Sequence, residues 1–288
     1  MRVKKILCSD EAVVGVVVAI LLVGLVVAVI SLVQTVYVPS MMEEREAEHM
    51  EVVSEQFARL KSAIDTQIAG QKTPIASSVT LGSKELPFFM SLRAFGAIEI
   101  VPENFELIVG YTPDLVNESS QNFLLNSIRF SSANGYFVDH IYAYESGAVI
   151  ISQSYGNMLY IRPSFGSDFE GPDNNVIITL TLVNISGIGG KTYAAGYGTY
   201  PIQTEFSGNN SFGFENIKSL VIMTDYINSW TMFCKNSLFR NKLVLSEDYS
   251  LDEIEGGIRI NFNDPSNIDL FVNVVNIDAQ IGPGWIEQ

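Results

Sequence analysis

The stretch AVVGVVVAILLVGLVVAVISLVQTVYV, residues Ala12–Val38, contains no charged side chain and decides what the rest of the chain can be. As a helix rising about 1.5 Å per residue, it is longer than the roughly 30 Å hydrocarbon core of a bilayer. Each Val, Leu or Ile near the membrane centre favours insertion by roughly 0.3 to 0.6 kcal/mol. In lipid, a helix also satisfies the backbone of an isolated segment. The stretch therefore predicts a transmembrane helix over 12–38.

The flanking charges predict the orientation of this helix. Arg2, Lys4 and Lys5 precede it, whereas glutamates crowd the segment 43–51 that follows. Because Lys and Arg are retained on the cytoplasmic side, we expect the N-terminus inside and the C-terminal part outside. A cleaved secretory signal would share the basic start, but this run is longer than a usual signal core and VQTVYVPS offers no small-x-small cleavage site. We therefore expect a single-pass protein of the cytoplasmic membrane, with residues 1–11 as a cytoplasmic basic leader.

Composition narrows the classes of partner. The formal net charge of −15 argues against nucleic acid, because the phosphates would be repelled. The expected partners are membrane lipid and, through self-association, further copies of the chain or other subunits of a similar kind. Cys8 and Cys234 are expected on opposite sides of the membrane, so an intramolecular disulfide is not expected.

Three Asn-x-Ser sequons fit an extracytoplasmic body. They begin at Asn117, Asn184 and Asn209, and each is a candidate glycosylation site. The signal is weak because the motif is short enough for chance to supply one or two.

The segment after the apolar run, residues 39–70, predicts an amphipathic stalk helix. Pro39 marks a break or kink at its start, and Gly70 is a plausible stop. Apolar side chains recur every three or four positions along it, at Met50, Val53, Phe57, Leu60, Ile64 and Ile68. This stripe packs either on the protein's own β body or against neighbouring copies, and the pattern does not choose between them.

Residues 71–288 predict an extracytoplasmic β-rich domain, because the hydrophobic period changes to two and Gly, Pro, Asn and Ser punctuate the chain. The candidate strands are 97–101, 105–111, 136–144, 148–154, 158–162, 176–183, 192–206, 219–224, 242–245, 257–261 and 269–275. A tight connection is expected at 154–157. A helix is expected over 226–239, with Tyr226, Trp230, Phe233 and Leu238 available to pack inward. Many short strands at this spacing favour an antiparallel, sandwich-like architecture. The expected fold class is thus α+β, with a long N-terminal helix followed by this domain.

Three segments at the N-terminus follow one another in a distinctive order. SDEAV at 9–13 stands between the basic leader and the apolar run, and the acidic helix through 43–68 follows. In this order the chain resembles archaeal type IV pilin-like membrane proteins. LGSKELPF at 81–88 and YESGAVIISQ at 144–153 resemble segments of a broad family of archaeal single-pass surface proteins of unknown function, built as one helix plus a β domain. The resemblance implies a surface role and no catalytic residue.

One departure from the family's pattern leaves open whether the leader is cleaved. Archaeal pilins of this kind commonly read Ala-Val-Ser-Pro-Val-Ile-Gly at the helix start, whereas Ala12-Val13-Val14-Gly15 lacks the Ser-Pro. The resemblance implies a prepilin-peptidase cut near Ser9-Asp10. Without that cut, the protein stays a plain single-span anchor.

Small residues predict helix-packing positions in the apolar run. Gly15 and Ala19 make one small-xxx-small pair, and Gly24 and Ala28 make another. At about 100° per residue, the two pairs face nearly opposite directions. Two opposed contact faces suit a helical array with several neighbours, although Gly and Ala are also common in membrane helices that do not assemble.

Catalytic chemistry is not expected. Gly189-Gly190-Lys191-Thr192 resembles a phosphate-binding loop, but the pattern needs a glycine where Ile185 stands and a helix after Thr192, so a Gly-rich hairpin is the better account. His49 is predicted to be a solvated residue of the acidic helix. His140 lies in a strand pattern, and no Gly-x-Ser-x-Gly elbow occurs to supply a nucleophile. We expect no catalytic residue and no cofactor.

The sequence contains few patterns that are typical of metal sites. No Cys-x-x-Cys or His-x-x-x-His occurs, so a zinc site is not expected. Asp168, Glu170, Asp173 and Asn174 carry the oxygen ligands that calcium prefers, but their spacing does not match an EF-hand loop. Solvated loop carboxylates are the default, with weak calcium binding as the alternative.

These expectations together predict a non-enzymatic, membrane-anchored structural or adhesive protein. In the first hypothesis it is a pilin-like subunit of a surface filament. In the second it is a solitary cell-envelope binding module that does not polymerise. A surface hydrolase would require His140 to meet an acid and a nucleophile in a cleft.

Overall fold

The computed structural model describes residues 10–84, 93–113, 117–170, 175–240 and 243–283. The helical elements are α1 (Asp10–Leu32), a π-helical turn (Val33–Tyr37), α2 (Val38–Ile68), α3 (Ile227–Arg240) and a 3-10 turn (Pro265–Asn267). The strands are β1 (Ile75–Thr80), β2 (Phe95–Tyr111), β3 (Ser119–Ala133), β4 (Ile141–Glu145), β5 (Ala148–Gln153), β6 (Gly156–Ile161), β7 (Phe165–Glu170), β8 (Asn175–Gly187), β9 (Tyr193–Gly196), β10 (Thr199–Phe214), β11 (Ile217–Thr224), β12 (Tyr249–Ile254), β13 (Gly257–Phe262) and β14 (Ile268–Ile281).

One helix runs without interruption from α1 through the π-helical turn into α2. The break expected at Pro39 takes the form of this single widened turn, after which helical geometry resumes. Proline has no N–H to donate to the carbonyl of Thr35, and a locally widened turn accommodates that loss. The Thr35 hydroxyl donates to the carbonyl of Ser31 at 2.8 Å. The helix ends as expected at Gly70, whose φ of 123° suits glycine.

The apolar stripe of α2 packs on the protein's own body. Met50, Val53, Phe57, Leu60 and Ile64 are all buried, in contact with strands of both sheets. Of the two interpretations of this stripe, the structure shows packing within the chain. Burial of five large apolar side chains is worth on the order of 10 kcal/mol before entropy, which explains why the helix continues beyond the apolar run.

The strands of the described residues form two sheets. One has five strands in the order β1-β10-β14-β8-β7; the other has nine, in the order β12-β13-β11-β2-β3-β4-β5-β6, with β9 paired to β2. Every pair of these strands is antiparallel except β8 and β14, which run parallel from Ile268 beside Val176 to Ala279 beside Gly187. The expected mostly antiparallel β-rich domain after a long N-terminal helix is therefore confirmed.

Two apolar cores fill the body. The α2 core lies beneath α2, and the α3 core contains Trp230, Phe233 and Leu238 of α3. The long strands β2, β3, β8, β10 and β14 contribute to both cores, one half of each strand to each. The predicted helix over 226–239 is thus confirmed, with its expected inward residues.

Several predicted strands need correction. Residues 136–140 are a loop, and the strand begins only at Ile141. The segment 192–206 holds two strands, β9 and the start of β10, which belong to different sheets. Residues 243–245 form no strand, although Leu245 makes one isolated bridge with Tyr249. Strands β1, β3, β7 and β12 were not predicted. In β3 the buried face changes within the strand, so strict alternation is interrupted.

Candidate membrane anchor and its junction with the body

The first half of the long helix makes almost no contact with the rest of the chain. From Val13 to Tyr37 every side chain is exposed except that of Val33, which is half-buried. Among the described residues, this is the one helix long and apolar enough to cross a membrane. A row of exposed Val, Leu and Ile side chains of this length is unfavourable in water, and lipid or other helices would cover it.

The small residues predicted as packing positions lie open on this helix. Nothing comes within 4 Å of where a Cβ would stand at Gly15 or Gly24. Ala19 and Ala28 are likewise exposed. Each pair therefore leaves a shallow notch that no part of this chain fills, and its role in helix packing stays a prediction.

A small apolar cluster marks the point where the helix meets the body. Val38 and Met42 are fully buried there, and half-buried Val33 and Tyr136 pack against them. Tyr136 belongs to the connection between β3 and β4, here named the clasp loop (residues 134–139). The body thus meets the helix in the first turn of α2, directly after the π-helical turn.

Glu46 of α2 holds the clasp loop by its main chain. Its carboxylate accepts hydrogen bonds from three consecutive backbone N–H groups: Gly135 at 3.0 Å, Tyr136 at 2.7 Å and Phe137 at 2.7 Å. Glu46 itself has no solvent-exposed surface. Successive N–H groups that converge in this way form an anion-binding concavity, and a buried carboxylate is tolerated because it receives several charge-assisted hydrogen bonds.

The clasp loop is also braced from within. Asp139 accepts a 2.7 Å hydrogen bond from the backbone N–H of Asn134, and the Asn134 amide donates to the carbonyl of Val138 at 2.7 Å. These bonds close the loop on itself. The loop therefore presents a defined surface, on which the Val138 side chain is 42% exposed.

His140 supports the loop from behind. Its ring stacks between Phe137 and Tyr142, with centroids 5.5 and 5.9 Å away and interplanar angles of 8° and 12°. Nδ1 lies 2.8 Å from the carbonyl of Val138 and donates to it, and Nε2 accepts from the Gln153 amide at 2.6 Å. Both ring nitrogens are engaged in this arrangement.

This placement does not assemble the catalytic group that a hydrolase would require. Ser132 is the serine hydrogen-bonded to His140, but its hydroxyl contacts the backbone N–H and carbonyl of His140 rather than the ring. A serine nucleophile needs a ring nitrogen free to take its proton. Among the contacts of the described residues, His140 makes no such pair.

The prediction that His49 is solvated is wrong. It is buried rather than solvated, and its Nε2 lies 2.9 Å from the carbonyl of Thr80, to which it donates. Burial lowers the pKa of His49, opposed by that backbone hydrogen bond and by the charge of Glu46. The neutral ring ties α2 to β1. Gln67 makes a second tie, donating 2.7 Å to the carbonyl of Thr204 on β10.

A second buried carboxylate, Glu145, joins the elements around α3. Its Oε1 accepts hydrogen bonds from the Thr224 hydroxyl and the Trp230 indole, both at 2.7 Å, and its Oε2 accepts from the Asn104 amide at 3.0 Å. Burial raises the pKa of Glu145 to about 7, against these hydrogen bonds and with the help of the charge of Asp225. The carboxyl thus stands near its titration point in neutral solution.

The burial of Glu46 and Glu145 was not predicted from the sequence. For Glu46 a signal existed, because it sits between Met42 and Met50 at four-residue spacing on the apolar stripe of α2. For Glu145 the sequence contains no such signal. The next two residues, Ser146 and Gly147, form a tight turn with positive φ, and a tight turn predicts that the residues beside it are exposed. Here the turn is buried.

The three sequons differ in environment. Asn117 and Asn209 are exposed. The Asn184 amide donates to Oδ1 of Asn276 at 3.0 Å, while its own Oδ1 accepts from the backbone N–H of Asn126 at 3.0 Å. Glycosylation at all three stays a prediction, but Asn184 is already used within the fold.

The remaining motifs form no assembled site. Gly189 and Gly190, with φ of 62° and 68°, make a turn that links β8 to β9 in the other sheet, so it is not the expected hairpin. Asp168 and Glu170 lie on β7, where only the backbone is described, and Asp173 and Asn174 lie outside the described residues. Within the described part, no cluster of His, Cys, Asp or Glu side chains is arranged to hold a metal ion.

In comparisons with known proteins, no protein family, no curated protein and no solved structure matches this chain.

Proposed function

We propose that this chain is a membrane-anchored, pilin-like structural or adhesive protein of the cell surface, without enzymatic activity. The observation that carries the proposal is the division of one continuous helix: its first half, Val13–Tyr37, is exposed and apolar, and its second half is packed into a β-rich body. In this proposal lipid or neighbouring helices cover the first half, and the two sheets act as a sandwich-like body on the outer side.

The assignment of the outer side to the body is supported by charge. The basic residues Arg2, Lys4 and Lys5 precede the helix, and the body is strongly acidic. A single-pass protein with its N-terminus inside, displayed from the cytoplasmic membrane, follows from that distribution. Glycans at exposed sequons would suit such a location.

Assembly into a filament is the first form of the proposal. The open notches at Gly15 and Gly24 face opposite sides of the helix, and close helix–helix approach in lipid depends on such small residues. The second form is a solitary surface module. It is supported by the burial of the α2 stripe within the chain, because that stripe is then not available to neighbours.

Three measurements on native material test the proposal. Membrane fractionation should place the chain with lipid, and a C-terminal tag should be accessible from outside intact cells. N-terminal sequencing then separates the two forms: a start near Asp10 together with detergent-resistant polymers favours the filament, and an intact Met1 with a monomer favours the solitary module. A freely soluble chain, or a tag that reports from the cytosol, contradicts both.

A further inference from the structure

The clasp loop meets the helix at the end of its uncharged part, at Val38 and Met42. The uncharged part of the helix extends from Ala12 to Met42, about 46 Å at 1.5 Å per residue, whereas a hydrocarbon core takes up roughly 30 Å. Tyr136 of the loop packs on Val38 and Met42, and Val38 lies about 8 Å before the first charge, Glu43. The loop therefore stands beside helix turns that are still apolar.

This position corresponds to the headgroup layer. If the hydrocarbon core begins at Val13, it ends about twenty residues later, near Leu32. The next few ångströms on that side are headgroup, and the π-helical turn with Tyr37 falls there. Tyr37 is 59% exposed, and tyrosine is enriched at this depth because its ring is amphipathic. Tyr136, at the same height, belongs to the body.

We propose that the clasp loop is a lipid-contacting surface, with Val138 and Tyr136 in the headgroup layer of the membrane that the helix spans. This inference rests on the proposed membrane anchor and adds that the body lies on the bilayer rather than standing off it. The exposed Val138 and Met41 provide apolar contact. The exposed carboxylates of Glu43, Glu44 and Asp139 favour zwitterionic over anionic lipid, since like charges repel.

Glu46 is the positioning residue of this surface. Its carboxylate fixes the loop backbone against α2, so Val138 keeps one height relative to the apolar run. Without those three hydrogen bonds, the apolar contact of Tyr136 with Val38 and Met42 would remain, but the loop backbone would no longer be fixed to the helix.

Depth-dependent fluorescence quenching tests the inference on the full chain. In a Cys8→Ser background, single cysteines replace Val138, Val23 and Asn210, and each carries an environment-sensitive label; Cys234 is buried and stays unlabelled. The protein is reconstituted in phosphatidylcholine vesicles that contain lipids with nitroxides in the headgroup or in the acyl chain. We expect headgroup nitroxides to quench the label at 138 several-fold more than the label at 210, and acyl-chain nitroxides to quench the label at 23.

The three labels distinguish failure of the membrane anchor from failure of the lipid contact of the clasp loop. An unquenched label at 23 means that the helix does not insert, which removes the proposed anchor together with this inference. A quenched label at 23 with equal, weak quenching at 138 and 210 leaves the anchor intact and overturns the lipid contact. Shielding at 138 that depends on the protein-to-lipid ratio and not on nitroxides would assign the loop to a neighbouring copy instead, and would also overturn it.

A pair of variants tests whether Glu46 positions the loop. Glu46→Ala in the Val138→Cys protein should lower the headgroup quenching at 138 toward the level at 210, while the label at 23 is unaffected. Glu44→Ala removes an exposed carboxylate one half-turn away and should leave the quenching at 138 unchanged. If both variants behave alike, the loop is not positioned by Glu46.

Discussion

The indole Nε1 of Trp230 donates a 2.7 Å hydrogen bond to Oε1 of Glu145, and this pair joins α3 to the end of β4 in the interior of the body. A carboxylate in that position has lost its hydration and is compensated by three donors. Trp230 is fully buried beside Phe105, with ring centroids 4.9 Å apart. The fluorescence of Trp230 should therefore report both the packing of α3 and the ionisation of its partner.

Stability should depend on pH through Glu145. Burial raises the pKa of this carboxyl from 4.5 to about 7, so between these values the folded state holds a proton that the unfolded state has lost. The free energy of unfolding therefore falls as the pH rises from about 4.5 to 7 and then levels off, by at most about 3 kcal/mol. Chemical denaturation of the detergent-solubilised protein, followed by tryptophan fluorescence at several pH values, measures this.

Glu145→Gln is the matched variant. Its carbonyl keeps accepting from Thr224 and Trp230. Its amide can donate to Oδ1 of Asn104 once the Asn104 amide turns by 180°, because Nδ2 faces Glu145 in the wild type and Oδ1 has no partner among the described residues. The difference in stability between wild type and variant should change with pH in that window. The lowered pKa of His49 acts in the opposite sense below pH 6.5, but it is common to both proteins and cancels in the difference. A difference that stays constant with pH would show that Glu145 is not protonated in the fold.

Loss of the Glu46 carboxylate should release the clasp loop. Glu46→Ala leaves three backbone N–H groups without their acceptor, and we expect a loss of about 2 kcal/mol or more. Hydrogen exchange should accelerate at Gly135, Tyr136 and Phe137 and remain slow in β8 and β14. Glu43→Ala, on the exposed side of the same helix, should change stability by less than about 0.5 kcal/mol. Unchanged exchange at the three amides would contradict the clasp.

The sequons should respond differently to substitution and to glycosylation. Asn184→Ala removes a bond to Asn276 and leaves the N–H of Asn126 without its acceptor, at a cost of about 1 to 3 kcal/mol. Asn209→Ala, at an exposed position, should be close to neutral. In a host that glycosylates sequons, glycopeptide mass spectrometry should find more glycan at Asn117 and Asn209 than at Asn184. High occupancy at Asn184 would mean that modification precedes folding there.

Association of the membrane helices should depend on the glycine notches. Gly24→Ile fills the open surface at that position, and fluorescence energy transfer between labelled copies in vesicles should fall if helices meet there. Val23→Ile adds one methylene beside the notch and serves as the control. Equal energy transfer in both variants and the wild type would remove this pair from the assembly surface and favour the solitary form.

Local patterns were enough for the helices and for many of the strands. The long apolar helix followed from the uncharged run, the α2 stripe from its three- and four-residue spacing, and α3 from its inward aromatic residues. The pattern failed in β3, where the buried face changes between Ser127 and Ile128, so the alternation changes phase within the strand. It also failed at 136–140, whose aromatic residues pack as a loop against the helix rather than as a strand.

The amino-acid sequence by itself determined that one segment is too apolar and too long for water, and that an amphipathic helix and a β-rich body follow it. Hydropathy and period are local properties, so they can be read along the chain. Only the tertiary structure decided that Glu46 and Glu145 are buried, that the α2 stripe is covered by its own sheets, and that the clasp loop packs on Val38 and Met42. Each of these depends on contacts between residues far apart in sequence, and no local pattern specifies which donors a buried carboxylate will meet.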